Sequence, residues 1–189
     1  MDKNKKYSEY LKTRSKLSYF YRHKILYPKL NKSLEGTTLD VGCGIGDFLS
    51  FKKDAIGIDI NTELVEICKT KGLNACIMEE NKIPFGKSSF DSVVLDNVLE
   101  HIDNPKKIIQ EIKRVLKRNK ILIIGVPGKF GYTKDDDHKI FYSKYDLVKL
   151  LSNYSFKLEK IFGMPVNINF LENFLRQYCV YGIFRNYKD

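Results

Sequence analysis

The glycine-dense stretch Leu39-Asp40-Val41-Gly42-Cys43-Gly44-Ile45-Gly46-Asp47-Phe48-Leu49 constrains this chain more than any other part of it. Before the glycines, Thr37 to Val41 is an apolar run with β-branched residues that reads as a buried strand; after them, the apolar spacing reads as the start of a helix. Glycines at alternate positions let the main chain turn sharply and let a ligand lie on bare backbone, where a Cβ would collide with it. Strand, glycine turn and helix together are the arrangement that binds nucleotide-like molecules at the carboxyl end of a parallel strand. The chain is therefore expected to be an α/β protein.

The spacing narrows the ligand. A dinucleotide site uses G-x-G-x-x-G and aims a helix N-terminus at a pyrophosphate. Here the order is G-x-G-x-G, and Asp47 stands where the third dinucleotide glycine would be. A carboxylate there repels a pyrophosphate, which disfavours an NAD-dependent dehydrogenase, and no P-loop Lys-Ser/Thr pair follows. Asp40 adds a negative charge suited to an ammonium group. The ligand so described is adenosine-like, phosphate-free and cationic, as S-adenosyl-L-methionine is. The stretch resembles motif I of the class I S-adenosylmethionine-dependent methyltransferases of the type 11, ubiquinone-biosynthesis-like kind. Asp40, Gly42, Gly44 and Gly46 are read as the floor of the cofactor site.

Later segments extend the resemblance over roughly residues 36–162. Ala55 to Ile60 reads as a second strand with Asp59 near its end and Ile60 beside it; Asp59 lies 17 residues beyond Gly42. In an open parallel sheet that is the tip of the neighbouring strand, where a carboxylate accepts both hydrogen bonds of a ribose diol. Asn61 supplies the following helix cap. Ala75 to Met78 reads as a third strand leading to Glu79 and Glu80. Ile83-Pro84-Phe85 resembles the family's "lPF" sequence, and the resemblance implies that the acidic residue five before the proline, Glu79, contacts the adenine amino group, with Glu80 as the alternative. Ser92 to Leu95 reads as the fourth strand. Asp96 to Pro105 resembles the "vLEHi.dP" loop, which implies that Asp96 and Asn97 face the methionine end and that His101 is structural. Arg114 to Lys117 resembles the turn into strand five, Ile121 to Val126, with Asn119 in place of the family's glycines; Asn tolerates the left-handed conformation such a turn needs. A sixth strand is expected at Lys157 to Phe162, an aromatic helical stretch at Phe170 to Gln177, and a last strand at Tyr178 to Tyr187. The resemblance implies a doubly wound, Rossmann-like sheet of seven mostly parallel strands, with helices on both faces and a C-terminal antiparallel hairpin.

At 189 residues one domain is expected: a helical cap over 1–35, a cofactor-binding core over 36–126, and substrate-side elements with the closing hairpin over 127–189. Residues 7–34 are rich in aromatics (Tyr7, Tyr10, Tyr19, Phe20, Tyr21, Tyr27) and read as one or two amphipathic helices over the open edge, with Pro28 expected to end or kink any helix before it. Tyr19, Tyr21, Arg22 and His23 are candidates to roof the pocket. The polar segment Gly128 to Tyr142 leaves the carboxyl end of a central strand and should border the acceptor. It carries His138, the candidate general base or substrate-orienting residue. Asp135, Asp136 and Asp137 are consecutive and do not converge on one ion, so no metal is expected. The stretch Gly163 to Gln177 reads as substrate wall or dimer contact, leaving a monomer or a homodimer open.

The charge of +10 comes from lysines scattered along the chain with no run long enough for a nucleic-acid arm, so nucleic acid is not the expected partner. Cys43, Cys68, Cys76 and Cys179 have no metal spacing and fit free thiols in a reducing cytoplasm. Met1 to Lys6 lacks the apolar core of a signal peptide. The longest apolar run, Ile121 to Val126, is far below the ~20 residues that span a bilayer. The resemblance implies O- or N-methylation of a small-molecule acceptor, a sugar or other biosynthetic intermediate. Two other readings stay open: methylation of RNA or protein, and a non-catalytic cofactor-binding interaction module. The first lacks the N/D-P-P-Y/F sequence of base amino-group methylation after strand four, where Asp96-Asn97-Val98-Leu99 stands.

Overall fold

Val93 and Val94, like Ile123 and Ile124, are adjacent residues that are both shut from water. In a strand, neighbours point to opposite faces, so such pairs require a sheet covered on both sides. The structure, a computed structural model, describes residues 15–187; Tyr7, Tyr10 and the first part of the expected N-terminal cap lie outside the described residues. The strands are β1 (Thr38–Val41), β2 (Ile56–Asp59), β3 (Ala75–Ile77), β4 (Phe90–Asp96), β5 (Leu116–Pro127), β6 (Phe156–Met164) and β7 (Cys179–Asn186). They form one seven-stranded sheet in the order β3-β2-β1-β4-β5-β7-β6. β1 to β5 run parallel, and β7 inserts antiparallel between β5 and β6. This is the expected doubly wound α/β sheet with its closing antiparallel strands.

The helices are α1 (Lys16–Tyr21), α2 (Tyr27–Asn31), α3 (Asp47–Phe51), α4 (Thr62–Thr70), α5 (Lys106–Val115), α6 (Lys129–Tyr132) and α7 (Lys144–Ser152). On one face, Ile108, Ile109, Ile112 and Val115 of α5 pack with Val93 and Ile124; on the other, Phe48, Leu49, Val65 and Cys68 pack with Val94 and Ile123. Arg114 ties α5 to the Ile83-Pro84-Phe85 segment by donating to the carbonyls of Ile83 and Phe85 at 2.9 and 2.7 Å. The caps follow their sequence signals: Asn61 accepts from Glu63 and Leu64 at the start of α4, and Ser143 and Asp146 form a capping box on α7. Among the described residues no helix is long and apolar enough to cross a membrane.

Several expectations change in detail; strands four and six, for example, lengthen to Phe90–Asp96 and Phe156–Met164. Strand five starts at Leu116, five residues before Ile121, and takes in Asn119, which sits at φ +60°. Strand three stops at Ile77. The helical path does not break at Pro28; a π-helical turn, Arg22–Leu26, precedes α2, and Pro28 falls in the first turn of α2, where its missing N–H costs little. The stretch Phe170 to Gln177 forms only a 3₁₀ turn, Asn169–Asn173: Leu171 and Leu175 pack on the core, while Phe170 and Phe174 meet as tilted rings 4.7 Å apart in solvent.

The turn after β1 depends on close approach of backbone to helix. At Gly46, φ is +81°, and an added Cβ would lie 2.5 Å from Leu73 Cδ1 and 2.9 Å from Cys68 Sγ. Gly46→Ala is expected to cost about 1–3 kcal/mol through backbone strain and overpacking, seen as a drop of several degrees in Tm by calorimetry. An unchanged Tm would mean that α4 shifts freely.

Candidate functional site

β1 lies between β2 and β4, so the chain reverses its direction across the sheet there, and a crevice opens beyond the carboxyl ends of these strands. It is a cavity of about 910 Å³. Its floor is the glycine turn. Gly42 and Gly44 take φ of +75° and +55°, and Gly42 and Cys43 donate to the Ile58 carbonyl at 2.8 and 3.0 Å. The Cys43 side chain enters the space left above Gly57 of β2, where a Cβ would come within 2.8 Å of it. Cys68 of α4 adds a contact from its Sγ to the Gly44 carbonyl at 3.3 Å.

Asp59 fastens this turn. One carboxylate oxygen accepts from Gly44 N at 2.9 Å, the other from Asn61 N at 2.9 Å. The residue chosen from sequence as a ribose acceptor therefore also joins the glycine turn to the start of α4. Each of its oxygens retains a lone pair for a diol.

Negative charge gathers in the crevice. Asp40 is buried, and burial, then the nearby Asp96 and Asp59, push its carboxyl well above the ordinary carboxylate range. Burial raises Asp59 too, against the backbone N–H groups it accepts. Asp96 accepts from the Tyr181 hydroxyl at 2.9 Å and from Asn97 Nδ2 at 2.8 Å. Arg22, delivered by the π-helical turn, stands 3.5 Å from Asp96 and donates to the Tyr27 hydroxyl at 2.9 Å. Asn97 takes φ +56° and donates its N–H to the Gly125 carbonyl, which turns the chain sharply off the end of β4.

Beyond Asn97 the wall consists of ionisable groups. Glu100 and His101 come from the 3₁₀ turn Leu99–His101, and His138 from the loop between α6 and α7. That loop is pinned to the turn by Lys139 N and Ile140 N, which donate to the Glu100 carbonyl at 2.7 and 3.1 Å. His138 Nδ1 lies 2.8 Å from the Tyr132 carbonyl, and its ring stacks on Tyr132 and meets His101 edge-on at 4.7 Å. Burial pushes the Glu100 carboxyl up to about 8 and pulls His101 down. Lys107, Lys134 and Arg176 also line the cavity.

Of the residues singled out from sequence, Asp40, Gly42, Gly44, Asp59, Ile60, Glu80, Asp96, Asn97 and His138 line this one cavity. Gly46 and Glu79 do not. Gly46 packs onto α4. Glu79 follows the buried Met78 and so points outward, 76% exposed and paired with Lys82 at 3.1 Å; the acid on the cavity side is Glu80. Of the four roof candidates, Tyr21 and Arg22 line the cavity, while His23 stacks on Tyr19 away from it. Sequence reasoning passed over Glu100. Nothing local marks it, since it stands beside His101 in a segment with several other polar residues.

A family model described as a methyltransferase domain matches residues 39–124. An uncharacterized protein of Methanocaldococcus jannaschii is 32% identical over 155 residues, 74% of this chain and 76% of that protein. A tRNA (carboxymethyluridine(34)-5-O)-methyltransferase of Arabidopsis thaliana is 31% identical over 110 residues, 53% of this chain but 27% of the plant protein. A SAM-dependent methyltransferase structure from Aquifex aeolicus superposes with a TM-score of 0.71 at 22% identity, covering 98% of this chain and all of the other.

A buried carboxyl whose pKa is raised by folding costs stability at pH above its unfolded value and nothing below it. Asp40→Asn is therefore expected to raise the Tm of the ligand-free protein by a few degrees at pH 8, on the order of 1 kcal/mol or more, with the gain shrinking towards pH 4. An equal gain at both pH values would trace it to packing instead.

Proposed function

The chain belongs to the class I S-adenosylmethionine-dependent methyltransferases, and within that family we propose that it methylates an oxygen or nitrogen of a small polar acceptor. The sulfonium is already an activated donor, so the protein's task is to hold donor and acceptor in line. As the bond from the methyl carbon to the acceptor forms, the carbon–sulfur bond breaks, its electrons stay on sulfur, and S-adenosyl-L-homocysteine leaves with its sulfur uncharged.

The residues divide the cofactor among them. The glycine turn carries the methionine tail, and Asp40 faces its ammonium group, a cation that offsets the cost of burying this carboxyl. Asp59 takes the ribose diol and Glu80 the adenine end. Asp96 and Asn97 border the sulfonium side, where negative charge only partly offset by Arg22 suits a cationic donor. Gly46 supports the site from outside the cavity, against Leu73 and Cys68, while Glu79 takes no part in it.

One observation carries the acceptor reading: the wall past Asn97 is closed by Glu100, His101 and His138, three ionisable side chains that are largely buried and face the same cavity. Such groups handle a compact polar nucleophile, and His138 either orients it or receives its proton. Lys107, Lys134 and Arg176 favour an acceptor that carries negative charge. A second reading, RNA as acceptor, has the chain's charge of +10 and the tRNA-methylating relative in its favour; the chain spans about a quarter of that relative, 27% of its length.

Incubation with methyl-labelled S-adenosylmethionine, a protein-free metabolite extract and total tRNA separates the two. Label is expected in the small-molecule fraction. Label in RNA, with binding that falls steeply with salt, would replace this reading by the second. Asp59→Ala should weaken S-adenosylhomocysteine binding tenfold or more, because it removes ribose hydrogen bonds of ~1 kcal/mol each and the brace on Gly44; unchanged affinity by calorimetry would refute the ribose assignment. His138→Ala should lower turnover far more than cofactor affinity, and equal losses would make its role purely structural.

A further inference from the structure

Glu100 is the least explained side chain in the cavity wall. It is 1% exposed, and among the described residues neither carboxylate oxygen has a hydrogen-bond partner. Its nearest cationic or imidazole contact is His138 Nε2, 3.9 Å from Oε1. A buried carboxylate normally has a hydrogen-bonded partner or holds a metal.

The two neighbouring imidazoles are oriented for the second case. His138 Nδ1 lies 2.8 Å from the Tyr132 carbonyl, and His101 Nδ1 lies 3.3 Å from the Asp137 carbonyl. A carbonyl only accepts, so each Nδ1 is the N–H donor, which in the neutral imidazole leaves the lone pair on Nε2. Metal-binding histidines are held in this way, by donating the other ring nitrogen to a carbonyl or carboxylate. One ligand atom each from Glu100, His101 and His138 lies within 4.8 Å of the other two. Ligand bonds of about 2.0–2.2 Å bring such atoms roughly 3–3.5 Å apart, so closure asks for side-chain movements of about an ångström. The backbone bonds from Lys139 and Ile140 to the Glu100 carbonyl keep the loop and the turn together while those side chains adjust.

We propose that Glu100, His101 and His138 form a two-histidine, one-carboxylate site for a divalent first-row transition-metal ion. Three protein ligands leave coordination positions open, and all three residues line the cofactor cavity. An acceptor oxygen is the ligand for an open position. This role for the ion rests on the acceptor reading above: the bound hydroxyl loses its proton to solvent, and the resulting oxyanion attacks the sulfonium methyl, with carbon–oxygen formed, carbon–sulfur broken and no electrons gained or lost overall. His138 then orients the acceptor through the ion. The ion also supplies the positive charge that Glu100 lacks.

The test is direct metal binding to chelator-treated protein, with Co²⁺ followed by its visible absorption and Zn²⁺ and Mn²⁺ followed by calorimetry. One equivalent is expected to bind, and Glu100→Gln and His138→Ala are each expected to weaken binding at least tenfold. S-adenosylhomocysteine binding by both variants serves as the check on folding. No binding of any of the three ions up to millimolar concentration overturns the site. Binding that neither variant weakens overturns it too, since the ion is then held elsewhere, at a cysteine for instance. Loss of methyl transfer on chelation, restored by added metal, supports the role at the acceptor; full transfer by metal-free protein overturns that role and leaves the site. Label appearing in RNA overturns the small-acceptor reading without touching the binding result.

Discussion

The two hydrogen bonds accepted by Asp59 hold the floor of the site in place. Gly44 lies in a left-handed turn, and such a turn has few bonds of its own to define it. Asp59 joins it to the end of β2 and, through Asn61, to the first turn of α4. Cys68 reaches back from that helix to the Gly44 carbonyl. Strand, turn and helix thus define one another around a single buried carboxylate. A ligand arriving there meets a preformed surface, which spares it the cost of ordering the loop.

The crevice concentrates negative charge, with Asp40, Asp59 and Asp96 together, and the buried cation beside them comes from far away in the chain. Arg22 is brought in by the π-helical turn of the N-terminal segment, while Tyr181 reaches Asp96 from the last strand. Residues 22, 96 and 181 meet at the end of β4. The crevice is therefore closed by both ends of the described chain acting on one aspartate. The imbalance that remains disfavours a phosphate and favours a cation, the same preference that Asp47 signals at the start of α3.

Local chemistry was legible in the sequence wherever a residue answers to its immediate neighbours. The glycine turn, the Asn61 cap, the Ser143–Asp146 box and the left-handed Asn119 all belong to this kind. The doubly wound sheet of seven strands with its antiparallel closing followed from the family pattern. What could not be read depends on partners distant in sequence or on the exact phase of a short segment. Whether Glu79 or Glu80 lines the cavity is decided by the alternation of faces past Met78, and a shift of one residue reverses the answer. The helical path survives Pro28 because a π turn widens the backbone before it. Glu100 looks like an ordinary surface acid until the loop carrying His138 folds across it.

The slot that Cys43 fills above Gly57 ties two strands' sequences together. Cys43 belongs to the glycine turn and Gly57 to β2, yet the sulfur of one occupies the space where the other would carry a methyl group. The volumes at these two positions are thus a shared quantity. A lineage that enlarges position 57 has to shrink position 43, and Leu49 beside them, in step. Positions 43 and 57 should therefore vary as a pair among relatives, although one lines the cavity and the other does not.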